Sequence, residues 1–211
     1  MIFRDRTEAG QILASKLTKY VNQVDTVILA LPRGGVPVAY EIGKELGLPI
    51  DIFVVRKLGV PGHEELAMGA IASGGVRHIN RDVVDQLGID SETIEAASRR
   101  EQKEIERREE LYRGQRPPLD VRDKTVILVD DGLATGSTMR AAIAALRQHR
   151  PARIVVAVPT AAPQTCSEIA DEVDEIICAA TPETFYAVGQ WYQEFSQTTD
   201  DEVRELLARA S

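Results

Sequence analysis

Short apolar runs that alternate with helix-like stretches constrain the fold of this 211-residue chain more than any other feature. The runs occupy residues 26–31, 50–55, 125–129, 154–158 and 175–178. Their length and unbroken hydrophobicity predict buried strands. Stretches with the spacing of amphipathic helices occupy residues 7–21, 36–46, 137–148 and 163–172. Strands alternating with helices predict an α/β fold with a mostly parallel central sheet that is flanked by helices.

The rest of the chain completes a single predicted domain over residues 1–211. Residues 56–65 are predicted to form a polar, glycine-bearing loop of the kind that moves. Residues 91–113 are nearly all charged, with oppositely charged pairs four residues apart, which predicts a long solvated helix at the surface or at a dimer contact. Two further short strands are predicted at residues 67–72 and 76–79.

The composition narrows the class of protein. Hydrophobic residues make up 44% and charged residues 27%, which is typical of a folded chain and argues against disorder. The net charge of -8 makes a nucleic-acid partner unexpected, and no apolar run has membrane-spanning length. The start lacks a signal-peptide core, while Cys166 and Cys178 fit neither a metal spacing nor a disulfide framework. We expect reduced thiols in a cytoplasmic protein with no membrane partner.

One predicted strand runs into two adjacent carboxylates, in the stretch V-I-L-V-D-D-G-L-A-T-G-S-T-M of residues 126–139. Strand ends of this kind face the ligand in open α/β sheets, so Asp130 and Asp131 should lie at a binding site. Two unit charges about 4 Å apart repel by roughly 1 kcal/mol in water and about 4 kcal/mol at an effective dielectric near 20. A purely structural site would rarely accept this repulsion, whereas a cation or ligand hydroxyls would relieve it.

The residues after the two carboxylates suit a phosphate. Gly132 and Gly136 allow close backbone approach, and the unpaired amides at the start of the next helix face an anion. Hydroxyl donors are supplied by Thr135, Ser137 and Thr138. Carboxylates beside a phosphate cradle indicate a sugar phosphate; a glycine turn with a capping aspartate is the alternative. The lysine of G-x-x-x-x-G-K-[ST] and the pattern G-x-G-x-x-G are both absent from this turn.

The same stretch resembles the phosphoribosyl pyrophosphate motif of type I phosphoribosyltransferases, an apolar strand followed by an acidic pair and [AD]-T-G-x-T. The chain is most similar to a bacterial group of predicted phosphoribosyltransferases of undefined substrate, through A-L-P-R-G-G-V-P-V-A, R-K-L-G-V-P-G-H-E-E-L-A-M-G-A-I-A and the acidic motif. The resemblance implies a type I phosphoribosyltransferase fold with a small hood, and hood or dimer elements in residues 80–120 and 180–200. It also implies a homodimer that transfers the 5-phosphoribosyl group from phosphoribosyl pyrophosphate to a nitrogenous base, or the reverse, with magnesium and with release of pyrophosphate.

The resemblance assigns roles to the matched residues. Asp130 and Asp131 would act in catalysis by binding the ribose hydroxyls, directly or through magnesium. The 5-phosphate would lie on the loop formed by Ala134, Thr135, Gly136, Ser137 and Thr138. Pyrophosphate would meet the backbone amides of Arg33, Gly34 and Gly35, often across a cis peptide in this family. It would also meet the side chains of Arg56 and of Lys57, a further catalytic candidate, with solvated surface charge as the alternative for both. Closure of residues 58–65 would exclude water.

Several positions depart from the purine-salvage branch of the family and leave the acceptor base open. Ala134 stands where those enzymes carry an aspartate, and residues 158–163 lack their lysine. Residues 185–195 resemble their base-binding segment, so Tyr186 and Trp191 are candidates for stacking on a base, with burial in a core as the alternative. Two other functions stay open: a regulator that senses phosphoribosyl pyrophosphate or a nucleotide, and a hydrolase acting on a sugar phosphate.

Overall fold

Two sheets form the framework of the chain, in a computed structural model that describes residues 1–210 and every side chain in that range except that of Glu65. The parallel strands are β1 (Thr26–Ala30), β2 (Ile50–Ile52), β6 (Thr125–Val129), β7 (Arg153–Thr160) and β8 (Glu175–Ala180). The antiparallel sheet contains β3 (Val55–Val60), β4 (His63–Ala72) and β5 (Val76–Ile79). The helices are α1 (Arg6–Lys16), α2 (Gly35–Leu46), α3 (Arg81–Leu87), α4 (Ser91–Arg113), α5 (Ser137–Gln148), α6 (Pro163–Ala170) and α7 (Asp200–Arg209).

The main sheet has the order β2-β1-β6-β7-β8 with every neighbouring pair parallel, which confirms the predicted α/β fold. Successive residues of β1 face opposite cores. Ile28 packs in one cluster with Leu13 of α1 and Ile42 of α2, whereas Leu29 packs in another with Ile143 of α5. Because both faces are covered, a central strand is apolar at nearly every position, and all five residues of β1 are buried.

The strands β1 and β6 meet where the strand order reverses. Ala30 lies opposite Val129, and the amide of Leu31 donates to the carbonyl of Val129 at 2.9 Å. On its other side β1 pairs with β2. The carboxyl ends of β1 and β6 therefore lie side by side, at the position where open α/β sheets bind their ligands.

The antiparallel sheet corrects two predictions about residues 50–65. The predicted strand over 50–55 is confirmed for residues 50–52 but is too long, because the main-sheet strand ends at Ile52 and Val55 begins β3. The predicted loop over 56–65 is wrong because these residues belong to a β3–β4 hairpin in which only Pro61 and Gly62 separate the strands. Leu58 and Met68 are fully buried, so burial and pairing decide the local structure here, rather than the nearby glycines and charges. The Glu65 side chain, at the end of the predicted closing segment, lies outside the described part.

This second sheet is the small hood that the resemblance implies, and it is built from residues 55–79. The helix α4 packs against β3, and α5 packs against β4. A hood or dimer role for residues 80–120 and 180–200 stays a prediction.

A buried two-residue link joins the hood to the main sheet. The amide of Phe53 donates to the carbonyl of Ala30 at 2.9 Å. The amide of Val54 donates to Ser73 Oγ at 2.9 Å, and the amide of Ser73 donates back to the carbonyl of Val54 at 2.9 Å. These bonds close the base of the hairpin beside β1.

Cys166 on α6 and Cys178 on β8 are free, half-buried thiols. Burial raises the pKa of the Cys178 thiol, so the neutral form is favoured.

Within residues 1–210, no helix has the length and hydrophobicity needed to cross a membrane.

A buried ion pair joins the edge strand β2 to the end of α4. The side chains of Asp51 and Arg113 are 7% and 8% exposed, and Arg113 Nε lies 3.1 Å from both carboxylate oxygens. The amide of Leu119 donates to the same carboxylate at 3.1 Å. Arg113 also pairs with Glu109 at 3.2 Å, whereas Asp51 has no other cation among its ion pairs in the described part of the chain. Because a buried charge without a partner is costly, Asp51 depends on Arg113.

We predict that Arg113→Met lowers the free energy of unfolding by about 3–5 kcal/mol, because it leaves the buried Asp51 carboxylate uncompensated. Urea denaturation followed by circular dichroism measures the change. Arg107→Met is the matched control. Arg107 lies on the same helix, is 60% exposed and pairs with Glu104, so its loss should cost at most about 1 kcal/mol. Equal losses in the two variants would contradict the prediction.

Candidate active site

The acidic pair, Asp130 and Asp131, directly follows β6 at the reversal of strand order. The amide of Asp131 donates to Asp130 Oδ1 at 2.8 Å. Burial raises the pKa of Asp130 well above its ordinary value, and the charge of Asp131 raises it further. Burial also raises the pKa of Asp131, while the guanidinium of Arg6 opposes that rise. The pair is a desolvated, repulsive site whose ionised form is stabilised by a cation or by hydrogen-bond donors.

Arg6, the first residue of α1, is the positive side chain at the acidic pair. Its Nε and Nη2 atoms lie 2.9 Å and 2.8 Å from Asp131 Oδ2, and its Nη1 donates to the carbonyl of Ser196 at 2.7 Å. The guanidinium carbon also lies 4.1 Å from the ring centroid of Phe195. Sequence reasoning missed Arg6 because 125 residues separate it from Asp131 and no motif connects the two.

The loop between β1 and α2 packs directly on Asp131. Its peptide bond between Pro32 and Arg33 is cis. A Cβ atom built on Gly34 would lie 2.0 Å from Asp131 Oδ2, so only glycine leaves room for the carboxylate. A Cβ atom on Gly35 would lie 2.6 Å from the carbonyl oxygen of the last β6 residue. The absence of two side chains therefore lets the first loop and the acidic pair touch.

The loop that joins β6 to α5 presents its backbone and hydroxyls to solvent. Gly136 has a left-handed backbone, with φ of 71°, immediately before α5 begins. Amides in the first turn of a helix have no partner within the helix and attract anions. The loop is fixed from behind, since the carbonyls of Ala134 and Thr135 accept from Thr165 Oγ1 at 2.7 Å and Arg140 Nη1 at 3.0 Å. Its exposed residues are Ala134, Thr135, Ser137 and Thr138.

Aromatic residues after β8 lie beside the acidic pair. Tyr192 donates its hydroxyl to the carbonyl of Asp131 at 2.6 Å. Trp191 stacks on Phe185 with 6.2 Å between ring centroids, and its buried Nε1 has no hydrogen-bond partner in the described part of the chain. Tyr186 is 79% exposed. The structure thus brings Tyr192, which the sequence did not single out, to the acidic pair, while Trp191 packs in a cluster and Tyr186 faces solvent.

Three basic residues are predicted to bind pyrophosphate, Arg33 through its backbone amide and Arg56 and Lys57 through their side chains. Arg33 Nη1 lies 3.6 Å from Oδ1 of Asp200, and Arg56 Nε donates to Glu101 at 2.9 Å. Lys57 follows Arg56 along β3, so it points to the opposite face of the hood, where it is exposed. Among the described residues, no hydrogen bond or ion pair joins these side chains to the acidic pair. Their role in binding pyrophosphate stays a prediction.

The donor chemistry of the site suits magnesium that is shared between protein and ligand. In the described part of the chain, no group of three or more histidine, cysteine, aspartate or glutamate side chains could hold a metal by itself. Magnesium keeps several waters and is commonly bound by one or two carboxylates together with substrate oxygens. The acidic pair offers that number of carboxylates, so the residues present fit the metal that the resemblance implies.

The chain is similar to several known proteins. The protein-family model named "Phosphoribosyl transferase domain" matches residues 6–190 of the chain. Over 209 residues the chain is 44% identical to "Putative phosphoribosyl transferase Rv0571c" of Mycobacterium tuberculosis, which covers 99% of this chain and 47% of that protein. The chain therefore spans about half the length of this relative.

Two further proteins match the chain, one over two thirds of its length and one over all of it. "Bifunctional protein PyrR" of Chloroflexus aurantiacus is 35% identical over 143 residues, which is 66% of this chain and 70% of that protein. The crystal structure of TT1426 from Thermus thermophilus is 37% identical and covers 100% of both chains with a TM-score of 0.89. The fold is thus shared over its full length with a solved structure.

We predict that Asp130→Asn raises the melting temperature near neutral pH. The pKa of Asp130 is higher in the folded state than in the unfolded state, so stability is greatest below the unfolded pKa of about 3.9 and falls as pH rises toward the folded pKa. The amide abolishes this ionisation, so the gain should be largest above the folded pKa and should vanish as pH approaches the unfolded value. Thermal melts between about pH 4 and 8 measure the effect, at roughly 2–4 °C per kcal/mol.

The control for this prediction is Asp120→Asn, because Asp120 is exposed and lies in the turn before β6. Its melting temperature should stay near that of the wild type at every pH. An Asp130→Asn variant that is no more stable than the wild type at pH 7 would contradict the prediction.

Proposed function

The chain belongs to the phosphoribosyl transferase family, and from that premise we propose that it is a magnesium-dependent phosphoribosyltransferase. It transfers the 5-phosphoribosyl group of phosphoribosyl pyrophosphate to a nitrogenous base with release of pyrophosphate, or catalyses the reverse. The observation that carries the proposal is the half-buried acidic pair beside an exposed, hydroxyl-rich loop at the reversal of strand order. Carboxylates accept hydrogen bonds from sugar hydroxyls, and helix amides hold phosphate.

In this proposal Asp130 and Asp131 bind the 2- and 3-hydroxyls of ribose, directly or through magnesium. Asp130 Oδ1 already accepts from a backbone amide and Asp131 Oδ2 accepts from Arg6. The other oxygen of each carboxylate is therefore the acceptor for one of two neighbouring hydroxyls. The 5-phosphate lies on residues 134–138, where hydroxyls and first-turn amides are exposed.

Pyrophosphate is bound by the backbone of the first loop and by the hood. The backbone of Arg33, Gly34 and Gly35 approaches it closely because two of these residues lack side chains. The amides of Arg33 and Gly34 are the donors, since the Gly35 amide already donates to the carbonyl of Leu31 at 3.1 Å. Arg56 and Lys57 add positive charge, with Arg56 exchanging Glu101 for a phosphate oxygen. Each charge-assisted hydrogen bond contributes roughly 1.5–3 kcal/mol.

The reaction is a displacement at C1 of ribose. The bond from C1 to the pyrophosphate oxygen breaks, and pyrophosphate leaves with the electron pair. A nitrogen of the base forms the new bond to C1 and gives up its proton to solvent water. Magnesium, when bound, supplies positive charge to the pyrophosphate oxygens. Lys57 and Arg56 stabilise the departing charge, while the acidic pair holds the ribose so that C1 faces the incoming nitrogen.

The base stacks on an aromatic side chain after β8. Tyr186 is exposed and has a free face, whereas Trp191 already stacks on Phe185, so Tyr186 is the better candidate of the two. We also propose a homodimer in the cytoplasm with neither nucleic-acid nor membrane partners, in keeping with the net charge of -8.

A regulator that senses phosphoribosyl pyrophosphate or a nucleotide is the second candidate function. It is favoured by one observation, since a relative matching 66% of this chain is named a bifunctional protein. Arg56 and Lys57 favour the enzyme, because a sensor has no leaving group to stabilise. A hydrolase acting on a sugar phosphate would use the same pocket and would release ribose phosphates without a base.

Calorimetric titration with phosphoribosyl pyrophosphate and magnesium tests the site. We predict saturable binding by the wild type and at least roughly hundredfold weaker binding by Asp130→Asn/Asp131→Asn, because two charge-assisted contacts of about 1.5–3 kcal/mol each are weakened. The matched control is Asp120→Asn/Asp123→Asn, which changes the net charge equally at two exposed positions. No binding by the wild type, or an equal loss in the control, would refute the site.

Pyrophosphate release with a panel of purine and pyrimidine bases then separates the candidate functions. A transferase releases pyrophosphate only when an acceptor base is present. A regulator binds without release, and a hydrolase acts without a base. For the transferase, we predict that Lys57→Ala lowers kcat by roughly a hundredfold, as loss of a donor to developing charge does. Lys103→Ala, at an exposed position on α4, should leave kcat unchanged, and a kcat unaffected by Lys57→Ala would remove Lys57 from the mechanism.

A further inference from the structure

Arg6 binds two separate segments of the chain at the acidic pair, Asp131 and residues 195–196. Its Nε and Nη2 contact Oδ2 of Asp131, its Nη1 donates to the carbonyl of Ser196, and its guanidinium lies over the ring of Phe195. The Arg6 side chain is only 12% exposed. A planar guanidinium has donors in fixed directions, so it holds these partners in one relative arrangement.

Both contacts of Arg6 with Asp131 are made to the same carboxylate oxygen, Oδ2. That oxygen, Oδ2, is also the one packed against Gly34, where a Cβ atom would lie 2.0 Å from Oδ2 but 3.3 Å from Oδ1. Oδ2 is therefore enclosed between the guanidinium and the first loop, while Oδ1 is left clear of Arg6. If Arg6 occupied the place of the ligand, ligand binding would have to break the contacts of Arg6. Because Arg6 leaves Oδ1 clear, its position instead fits a role in holding the Asp131 carboxylate in place.

The aromatic segment, residues 191–195, is joined to the same place through the backbone. The amide of Phe3 donates to the carbonyl of Trp191, and the amide of Gln193 donates to the carbonyl of Phe3, both at 2.8 Å. The rings of Phe3 and Tyr192 lie 5.5 Å apart, and the Tyr192 hydroxyl contacts the backbone of the second acid. The carboxylate, the guanidinium and the aromatic segment therefore form one connected unit.

We propose that Arg6 is a positioning residue of the phosphoribosyl site, which fixes the carboxylate of Asp131 for ribose and couples occupation of that carboxylate to the aromatic segment. The inference rests on the proposed function, because it requires that Asp131 meets ribose. Arg6 makes no bond to the substrate and acts through Asp131. Its substitution therefore changes the affinity for the ligand and also the response of the aromatic segment to binding.

The test is a titration of the whole chain with phosphoribosyl pyrophosphate and magnesium, followed by calorimetry and by tryptophan fluorescence. Trp191 is the single tryptophan of the sequence, so its emission reports on the aromatic segment. Arg6→Met removes the guanidinium and its charge, whereas Arg6→Lys keeps the charge. Arg4→Met is the matched control, because Arg4 is 58% exposed and its side chain pairs with Asp5.

We expect Arg6→Met to bind the ligand roughly ten- to hundredfold more weakly and to show a smaller change in Trp191 emission at saturation. Arg4→Met should match the wild type in both measurements. Arg6→Lys should recover only a small part of the affinity, since an ammonium group lacks the planar fork. Unchanged or tighter binding by Arg6→Met, or full recovery with lysine, would overturn the inference.

The outcomes separate this inference from the proposed function. A wild type that fails to bind overturns both, whereas a binding wild type with an unaffected Arg6→Met overturns only the role of Arg6. If circular dichroism shows that Arg6→Met does not fold, Phe195→Leu takes its place, because it removes the ring and leaves the ion pair. Its affinity should fall roughly two- to tenfold, with a smaller Trp191 response. An unchanged response would overturn the coupling.

Discussion

The parallel pairing of β1 with β6 is the interaction on which the rest of the site depends. Because Ala30 lies opposite Val129, the two strands end together and the loops that follow start from adjacent points. The strand β2 continues the sheet on one side and β7 on the other, so both loops lie over the place where the strand order reverses. Loops that start this close can touch only where one of them lacks side chains, which accounts for Gly34 against Asp131 and Gly35 against the end of β6.

Carboxylates buried at such a point work against folding, because desolvation and mutual repulsion both disfavour their ionised forms. A single guanidinium, that of Arg6, faces two acids, so a negative charge is left uncompensated whenever both acids are ionised. The buried acid Asp51 differs in kind. It shares the Arg113 guanidinium with Glu109, but it also accepts from the backbone amides of Ile52 and Leu119, so both of its oxygens have donors within the protein. The imbalance at the acidic pair is the property expected of a binding site rather than of a structural contact.

The elements that depend mainly on neighbouring residues could be predicted from the sequence. Unbroken apolar runs predict β1 and β6, and their order with the helices predicts the parallel sheet. Residues 56–65 of the hairpin are misread because their glycines and charges resemble a loop, whereas pairing and the burial of Leu58 decide the structure. The strand predicted at 67–72 is confirmed as part of β4. Arg6 could not be found, since its contact with Asp131 spans 125 residues. The unpredicted helix α7 is a different case. Thr199 and Glu202 have the spacing of a capping box and form one, so that signal was present in the sequence.

The buried link between the two sheets anchors the hood at its base. Its base is clamped by paired hydrogen bonds between Val54 and Ser73 and by the bond from Phe53 to β1. From this base the hairpin runs to the turn at Pro61 and Gly62, with an irregular register around Gly59. The helix α4 supports β3 and α5 supports β4 along the way. A rotation of the hairpin about its base would therefore displace the turn most and the cations at the start of β3 least.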